Sequence, residues 1–401
     1  MKNDNYKDLL EDFLRYTKID TKVSHDNEEV PSSPGQNSLA KLLHQEMTDL
    51  GLSELFLLDN AICGGQLPGN NSSLEKVTLF AHLDTAADLP GNTKARIIEN
   101  YPGGDVSLNE KSSILVSENS ELSNYVGDTL IVTSGDTLLG ADDKIAIAEV
   151  MALVKYLKNN DEIPHGDIQI IFVPDEEKGL VGAKALDMSL VRGSYGVCLD
   201  CCGIGEYVIE NWWAGEALVT FRGVTAHPMS AKGKMVNSIL QAQEYIQGLP
   251  ETERPEHTEK KEGFFYLSNL NGSTVETTAK IHVRDFDKES YENRKKMLFE
   301  LALKFKNCTI EYTERYGDCA KALSENPKLL KTVREGMEAL EIKGIPLSMR
   351  GGYDGSALGM KGLPTLNIFT GAHNFHSAQE YLPLRSAEKA VDLLLYLVTH
   401  I

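Results

Sequence analysis

Several short apolar runs of this chain end directly in histidine or carboxylate residues, and this feature constrains the fold more than any other. Each run has the length and composition of a buried strand, so its polar end falls where the strand leaves the core. The five polar ends are His82-Leu83-Asp84-Thr85, Gly140-Ala141-Asp142-Asp143, Asp175-Glu176-Glu177, Asp200 and His373-Asn374-Phe375-His376. A pair of hydrolytic metal ions needs such histidines and clustered carboxylates as ligands. The pattern therefore indicates an enzyme.

Strands alternate with helices in the first half of the chain. The predicted strands are Val77–Ala81, Ile168–Val173 and Tyr195–Leu199, and an amphipathic helix is predicted at Lys144–Leu157. Asp142 or Asp143 is placed to cap the start of that helix. Alternation without hairpin signals favours an α/β fold with a mostly parallel, doubly wound sheet. Ligands of such sheets bind beyond the carboxyl ends of the strands, which is where the polar ends fall.

The segment from about Trp212 to Cys319 has a different pattern, which predicts a second domain inserted into the first. The predicted elements are a strand at Ala217–Phe221, a helix at Asn237–Gln247, strands at Ser273–Thr277 and Thr278–Arg284, a helix at Ser290–Lys306 and a strand at Thr309–Thr313. Their β-α-β-β-α-β order is the split, ferredoxin-like pattern. We therefore expect a catalytic domain of residues 1–211 and 320–401 and an inserted domain of residues 212–319.

Composition excludes several classes of partner. The chain has 401 residues and a formal net charge of −19, which argues against nucleic acid or an anionic membrane as a partner. No apolar signal segment is visible at the N-terminus, and no run approaches the ~18 apolar residues of a membrane helix. The six cysteines lack the spacing of a disulfide framework, so we expect reduced thiols and a cytoplasmic location.

The predicted convergence of carboxylates creates an electrostatic problem. The acidic residues expected at one edge of the sheet are Asp84, Asp142, Asp143, Asp175, Glu176, Glu177 and Asp200. Two like charges ~4 Å apart repel by several kcal/mol at an effective dielectric constant of about 20, so divalent cations are expected among them. Mixed imidazole and carboxylate ligands favour zinc, with manganese or cobalt as alternatives. A solvated acidic surface cluster is the other interpretation, but such a cluster would not follow apolar strands.

Taken together, the motifs closely resemble the peptidase T branch of the dinuclear zinc exopeptidases. The resemblance includes His-Leu-Asp-Thr, Gly-Ala-Asp-Asp-Lys, Pro-Asp-Glu-Glu, a lone aspartate about twenty residues later, and a late His-Ser-x-x-Glu. It continues through Ala226-His227-Pro228, Arg284-Asp285-Phe286-Asp287 and Arg350-Gly351-Gly352-Tyr353-Asp354-Gly355. It runs nearly end to end and in order. The implied fold is a zinc-exopeptidase-like three-layer catalytic domain with an inserted ferredoxin-like lid.

The resemblance also implies a role for each polar strand end. Asp142 would bridge two zinc ions. His82 and Asp200 would complete the ligands of one ion, and Glu177 and His376 would complete those of the other. Glu176 would be the general base for a water between the metals, and it would later protonate the leaving amine. Asp84 would hold the second nitrogen of His82. Chemistry alone does not distinguish Glu176 from Glu177 as base or ligand; the family pattern makes that choice.

Four residues of the second domain and its flank are substrate-binding candidates through the same resemblance. His227 would stabilise the oxyanion. Arg284 and Arg350 would bind a peptide carboxylate, because a guanidinium group can form two parallel hydrogen bonds to it. Asn237 would add a polar contact. The alternative for His227 is a structural loop residue, and the alternative for Arg284 is an ordinary ion pair beside Asp285 and Asp287.

The resulting hypothesis is a zinc-dependent aminopeptidase that releases the N-terminal residue of short peptides, most consistent with tripeptides. The rivals are a carboxypeptidase or acyl-amino-acid hydrolase with the same metals, and a non-catalytic binding protein on this fold. A homodimer formed edge to edge by the inserted domains is an open alternative. Three departures from the family pattern, at Ala87, at Cys201-Cys202 and at Tyr353, leave every expected ligand in place and bear on substrate preference.

Overall fold

The computed structural model describes residues 4–91 and 93–401. By its internal contacts the chain divides into two compact units, which we call unit 1 and unit 2. Unit 1 comprises Met1–Ile209, Cys319–Leu347 and Tyr353–Ile401, and unit 2 comprises Glu210–Asp318 and Ser348–Gly352. The domain limits expected from the sequence assign the short segment Ser348–Gly352 to the catalytic domain, whereas its contacts group it with unit 2.

The described helices and strands are numbered in chain order. The helices are α1 (Leu9–Tyr16), α2 (Pro34–Asp49), α3 (Ala141–Asn159), α4 (Val181–Ala185), α5 (Ser238–Gln247), α6 (Lys288–Ala302), α7 (Ala320–Glu325), α8 (Pro327–Ala339), α9 (Asp354–Met360) and α10 (Leu384–His400). The strands up to the start of unit 2 are β1 (Ser53–Leu57), β2 (Cys63–Leu67), β3 (Val77–His82), β4 (Arg96–Ile98), β5 (Val106–Ser107), β6 (Ser113–Ile114), β7 (Leu130–Val132), β8 (Ile168–Val173), β9 (Tyr195–Cys201) and β10 (Glu206–Asn211). The remaining strands are β11 (Trp213–Arg222), β12 (Phe264–Gly272), β13 (Glu276–Asp285), β14 (Cys308–Tyr316), β15 (Ile345–Met349), β16 (Thr365–Phe369) and β17 (Tyr381–Pro383).

The main sheet has the strand order β1-β2-β8-β3-β9-β16-β10-β15. Its four central strands, β8, β3, β9 and β16, are mutually parallel, whereas β1, β2 and β10 pair antiparallel with their neighbours. All residues of β3 and β8 are buried, as expected for parallel strands covered on both faces. The predicted α/β fold is confirmed, and its parallel part is the centre of a mixed sheet.

Helix α3 explains much of the core of unit 1. Nearly every residue from Ala141 to Leu157 is buried, so the helix lies inside the unit and contacts α1, α10, β3 and β9. Its apolar residues are not confined to one face, which is the composition of an internal helix. Because α3 is immobilised by this packing, the residues at its N-terminal end are held in place as well.

Unit 2 contains the four-stranded antiparallel sheet β12-β13-β11-β14. The core lies between one face of this sheet and helices α5 and α6, where Phe221, Tyr245 and Tyr291 are fully buried. The order β11-α5-β12-β13-α6-β14 is the predicted ferredoxin-like order.

One strand of unit 2 differs from the sequence prediction. The expected strand at Ser273–Thr277 is largely a turn, and the true strand β12 precedes it. The backbone N–H groups of Val275 and Glu276 both donate to Ser273 Oγ, which stabilises the turn. Phe264 and Phe265 are the buried residues of β12, while most of its remaining residues are exposed. This sparse apolar pattern explains why the predicted position was wrong.

Candidate metal centre

The carboxyl end of β3 delivers His82 and, two residues later, Asp84. His82 Nε2 lies 3.0 Å from Asp142 Oδ1, and His82 Nδ1 lies 3.1 Å from the backbone oxygen of Asp84 and 3.4 Å from its Oδ1. Both side chains are buried. A contact that occupies Nδ1 fixes the ring orientation and leaves Nε2 for a metal ion.

Asp84 has a second set of contacts that the sequence did not indicate. Its Oδ1 accepts a hydrogen bond of 3.0 Å from the N–H of Glu176, and its Oδ2 accepts one of 2.9 Å from the N–H of Glu177. The carboxylate therefore holds the backbone of the two glutamates in addition to lying beside His82.

The start of α3 differs from the sequence prediction. Neither Asp142 nor Asp143 caps the helix with its side chain, and both have non-helical backbone angles. Asp143 Oδ2 instead accepts the N–H of His82 at 3.0 Å. The two oxygens of Asp142 face different histidines: Oδ1 faces His82, and Oδ2 lies 3.1 Å from His376 Nε2. Because neither carboxylate is used as a cap, Asp142 is left to contact both imidazoles.

Asp175 turns the chain at the end of β8 and is not part of the cluster. It has a φ of 55°, in the left-handed region. Its Oδ1 accepts hydrogen bonds of 2.5 Å from Ser32 Oγ and 2.7 Å from Gln36 Nε2, and its own N–H donates to Gln36 Oε1 at 3.0 Å. These contacts fix the turn that presents Glu176 and Glu177. The sequence places Asp175 among the convergent carboxylates without naming it as a ligand, and the metal-ligand groups of the described residues do not include it.

The remaining two ligand candidates come from β9 and from the segment after β16. The N–H of Asp200 donates to Asn367 Oδ1 at 2.8 Å, which ties β9 to β16 beside the site. His376 has a φ of 60°, and its Nε2 lies 2.7 Å from Glu177 Oε1. Its side chain is 44 % exposed, in contrast to buried His82. The site therefore has one buried side and one side open to solvent.

Three groups of side chains could each hold a metal ion, with ligand atoms that lie within 4.8 Å of one another. The groups are His82 with Asp142, Asp143 and Asp200; Asp142 with Glu177 and His376; and His82 with Glu176 and Glu177. The first two groups share Asp142. The structure thus brings together the five predicted ligands and Glu176, and it adds Asp143.

The electrostatics of this cluster require positive charge. Burial and the nearby charge of Asp200 raise the pKa of Glu176, and burial together with Asp142 raises the pKa of Asp200. Burial and Asp142 raise the pKa of Glu177 to about 7. Hydrogen bonds to Asp142 and Glu177 raise the pKa of His376 to about 11. Without a metal ion, protons must supply the positive charge that these carboxylates need.

The donor set fits divalent metal ions. It combines two imidazole nitrogens with several carboxylate oxygens, a mixture suited to zinc and its neighbours among the transition metals. Within residues 4–91 and 93–401, Asp143 Oδ1 is buried and has no hydrogen-bond partner. A buried carboxylate oxygen without a donor is costly, and a cation would satisfy it.

The four substrate-binding candidates lie in unit 2, and two of them have local hydrogen-bond partners that orient them. His227 is exposed, and its Nδ1 accepts the N–H of Met229 at 3.2 Å. Asn237 Oδ1 caps α5 by accepting the N–H of Ile239 at 2.9 Å. The roles of both residues in substrate binding stay predictions.

The other two candidates are arginines whose guanidinium groups contact carbonyl oxygens and aromatic rings. One guanidinium nitrogen of Arg284 donates to two backbone oxygens, both at 3.1 Å. The expected alternative, an ion pair with the adjacent Asp285, is not formed, because Asp285 pairs with Arg294. The guanidinium of exposed Arg350 lies 4.9 Å from the centre of the Trp212 ring. Neither set of contacts neutralises the positive charge, so a role of these arginines in binding a peptide carboxylate stays a prediction.

Tyr353, at one of the departures from the family pattern, and His373, near the site, are packed inside unit 1. Tyr353 is fully buried and donates its hydroxyl to the backbone oxygen of Thr365 at 3.1 Å. Nε2 of His373 lies 2.7 Å from the Tyr125 hydroxyl, and its ring stacks on Tyr381. None of the six cysteines, including those at positions 201 and 202, forms a disulfide bond. Tyr353 therefore fills the core of unit 1.

Comparison with known proteins agrees with this geometry. Residues 139–400 match the family model described as "Peptidase family M20/M25/M40", and residues 64–209 match the model described as "Peptidase family M28". The chain is 39% identical over 400 residues to Peptidase T of Clostridium perfringens, with 98% of each chain covered. It is also 39% identical to Peptidase T of Halothermothrix orenii, covering 97% of this chain and 98% of the relative.

Solved structures share the fold. Aminopeptidase PepT from Bacillus cereus superposes with a TM-score of 0.77 at 23% identity, and a tripeptidase from Staphylococcus aureus does so with a TM-score of 0.77 at 20% identity. Each comparison covers 98% of both chains. No described helix is long and apolar enough to cross a membrane. From its end-to-end match to curated relatives, the chain is a peptidase of family M20/M25/M40 and belongs to the peptidase T branch.

Proposed function

We propose that this protein is a dinuclear zinc aminopeptidase that releases the N-terminal residue of short peptides, with tripeptides as the main substrates. One observation carries the proposal. The two oxygens of the Asp142 carboxylate face different histidines, 3.0 Å from His82 Nε2 and 3.1 Å from His376 Nε2. This arrangement would let Asp142 hold two metal ions, each beside its own histidine. The curated relatives named Peptidase T support the substrate class.

The groups of side chains support a ligand assignment. His82 and Asp200 would hold one ion and Glu177 and His376 the other, with Asp142 common to both. The 2.7 Å contact between His376 Nε2 and Glu177 Oε1 supports Glu177, and not Glu176, as the ligand beside His376. Asp143 belongs to the first group as well. Its Oδ2 is engaged by the N–H of His82, so this oxygen would position His82, while Oδ1 stays available to the same ion.

The bound metal ions would supply a water of lowered pKa and a polarised scissile carbonyl. Glu176 would take a proton from the attacking water on its carboxylate and deliver that proton to the nitrogen of the leaving amine. Asp84 would hold Glu176 and Glu177 by their N–H groups, so that the base and the neighbouring ligand keep their relative placement. The proton that leaves the water is thus the proton that the new amine gains.

Two experiments test this function. In the first, a zinc-loaded sample is assayed on a free tripeptide, on its N-acetylated form and on its C-amidated form. We expect cleavage of the free peptide and loss of cleavage on acetylation, because an aminopeptidase requires the free amine. Undiminished cleavage of the acetylated peptide would instead identify an acyl-amino-acid hydrolase or a carboxypeptidase. The amidated peptide reports whether a terminal carboxylate is also required, as a tripeptide preference predicts.

The second experiment replaces the proposed base. Glu176→Gln keeps the size of the side chain and removes its capacity to accept a proton, so we expect kcat to fall by roughly 10²–10⁴-fold. The zinc content of the variant, measured by elemental analysis, should stay at the wild-type value. Glu177→Gln is the matched variant: it should lose zinc as well as activity. An active Glu176→Gln enzyme would refute the assignment of the base.

A further inference from the structure

Helix α3 carries Asp142 at its start but has no cap of its own. Gly140 occupies the N-cap position with a φ of 74°, and it offers no side-chain acceptor. The first N–H groups of any helix lack partners within the helix, and buried ones need an acceptor from elsewhere. The start of α3 is buried, away from bulk solvent.

Glu380, from a distant part of the chain, supplies one such acceptor and also binds the two residues that precede the helix. Its Oε2 accepts the N–H groups of Leu139 at 2.8 Å and Gly140 at 2.9 Å, and its Oε1 accepts the N–H of Asp142 at 3.0 Å. The residue is 1 % exposed, so these bonds form away from solvent. A negative charge at a helix N-terminus also interacts favourably with the helix dipole.

These bonds hold the backbone on which the Asp142 carboxylate is placed. Glu380 accepts the N–H of Asp142, and both oxygens of the Asp142 side chain face the histidines. Glu380 also lies four residues after His376, one of those histidines. A single side chain thus joins two ligand-bearing segments that are more than two hundred residues apart in sequence.

We propose that Glu380 is a positioning residue of the metal centre: it fixes Asp142 for simultaneous contact with both metal ions. The inference rests on the proposed role of Asp142 as the bridging ligand. It goes beyond a purely structural cap, because it predicts a loss of metal affinity in the folded protein and not only a loss of stability.

The test compares zinc affinity among full-length variants. Glu380→Gln preserves the size of the side chain but replaces one oxygen by an NH₂ group, so in either orientation at least one buried N–H faces a donor. Glu380→Asp retains the charge and is too short to reach all three N–H groups. Asp128→Asn is the matched control, because Asp128 is also buried, accepts the N–H of Thr129 at 2.7 Å, and lies in none of the metal-ligand groups.

Zinc dissociation constants are measured by competition with a chelator, and thermal unfolding is measured on the metal-free samples. We expect both Glu380 variants to bind zinc about 10–100-fold more weakly than wild type, the loss that such supporting contacts usually cause, and Asp128→Asn to bind as wild type does. Wild-type zinc affinity in a folded Glu380 variant, even one with reduced thermal stability, would overturn the inference. If Glu380→Gln does not fold, the zinc affinity of Glu380→Asp decides the test. Failure of the wild type itself to bind zinc would refute the proposed function and the inference with it.

Discussion

Replacing Asp84 by asparagine probes the part of the site in which one carboxylate supports both the proposed base, Glu176, and a proposed ligand, Glu177. Asp84 accepts the N–H of Glu176 at 3.0 Å and that of Glu177 at 2.9 Å, and it is fully buried. The asparagine side chain has a single carbonyl oxygen, so in the Asp84→Asn variant one of the two N–H groups faces an NH₂ group. The variant also loses the negative charge that lies 3.4 Å from His82 Nδ1.

The magnitude follows from these contacts. A hydrogen bond to a charged group contributes about 1.5–3 kcal/mol, and a buried donor left without a partner costs a similar amount. His82 retains the backbone oxygen of residue 84 as a partner for Nδ1 at 3.1 Å, so its ring orientation is largely kept. We therefore expect Asp84→Asn to lower the free energy of unfolding by about 1.5–3 kcal/mol. Displacement of the turn that carries Glu176 should lower kcat by roughly ten-fold to a hundred-fold.

Urea unfolding and steady-state kinetics on a free tripeptide measure the two effects. Asp167→Asn is the control, since Asp167 also accepts a backbone N–H, from Gly69 at 2.8 Å, and is not in the metal-ligand groups. It should leave kcat unchanged. The smallest expected loss in the free energy of unfolding is about 1.5 kcal/mol. If Asp84→Asn instead has the wild-type kcat and a free energy of unfolding within about 0.5 kcal/mol of the wild-type value, Asp84 does not support the turn that carries Glu176 and Glu177.

Two further predictions concern other buried polar groups of unit 1. Neither oxygen of fully buried Glu149 has a hydrogen-bond partner in residues 4–91 and 93–401, and burial followed by the charge of Asp143 raises its pKa well above the ordinary 4.5. A buried acid whose pKa is raised in the folded state destabilises the protein as pH rises above the pKa of the unfolded state. The free energy of unfolding of Glu149→Gln should therefore match that of the wild type near pH 4.5 and exceed it increasingly at higher pH, by at most about 1.4 kcal/mol per pH unit. Denaturant unfolding at several pH values measures this difference, and a difference that did not change with pH would contradict the prediction. Gln36→Leu removes both hydrogen bonds between Gln36 and Asp175, at 2.7 and 3.0 Å, so it should lower the free energy of unfolding by about 1–3 kcal/mol and also lower kcat. An unchanged kcat would show that the turn at Asp175 does not depend on Gln36.

The central sheet and the strand-end positions could be predicted because their signal is local. Strands β3 and β8 are continuous apolar runs, and parallel strands bring their carboxyl ends to one edge of the sheet. This rule alone predicts that His82, Asp200 and the two glutamates lie together. The antiparallel edges of the sheet could not be predicted in the same way, because β1 and β10 have mixed burial and carry a weaker pattern.

The supporting contacts could not be predicted because they connect distant segments. Gln36 and Asp175 are 139 residues apart, and Glu380 is 238 residues from Asp142. The late His-Ser-x-x-Glu motif contains Glu380, but no neighbouring residue indicated that the Glu380 carboxylate accepts N–H groups at the start of α3. The local rule for helix caps predicted Asp142 or Asp143 as the cap. The prediction was wrong because Gly140 is at the N-cap position and the distant Glu380 carboxylate accepts the Asp142 N–H.

The acidic residues around the site fall into two classes that the sequence alone does not separate. The carboxylates of Asp84, Asp175 and Glu380 accept backbone or side-chain N–H groups, so their charge is already satisfied by the protein. The oxygens of Asp142 and an oxygen of Glu177 instead contact nitrogens of His82 and His376, which are proposed metal ligands. A carboxylate is available to a cation only when other donors do not occupy it. The proposed metal centre would therefore depend as much on the N–H groups that engage the first class as on the oxygens left to the second.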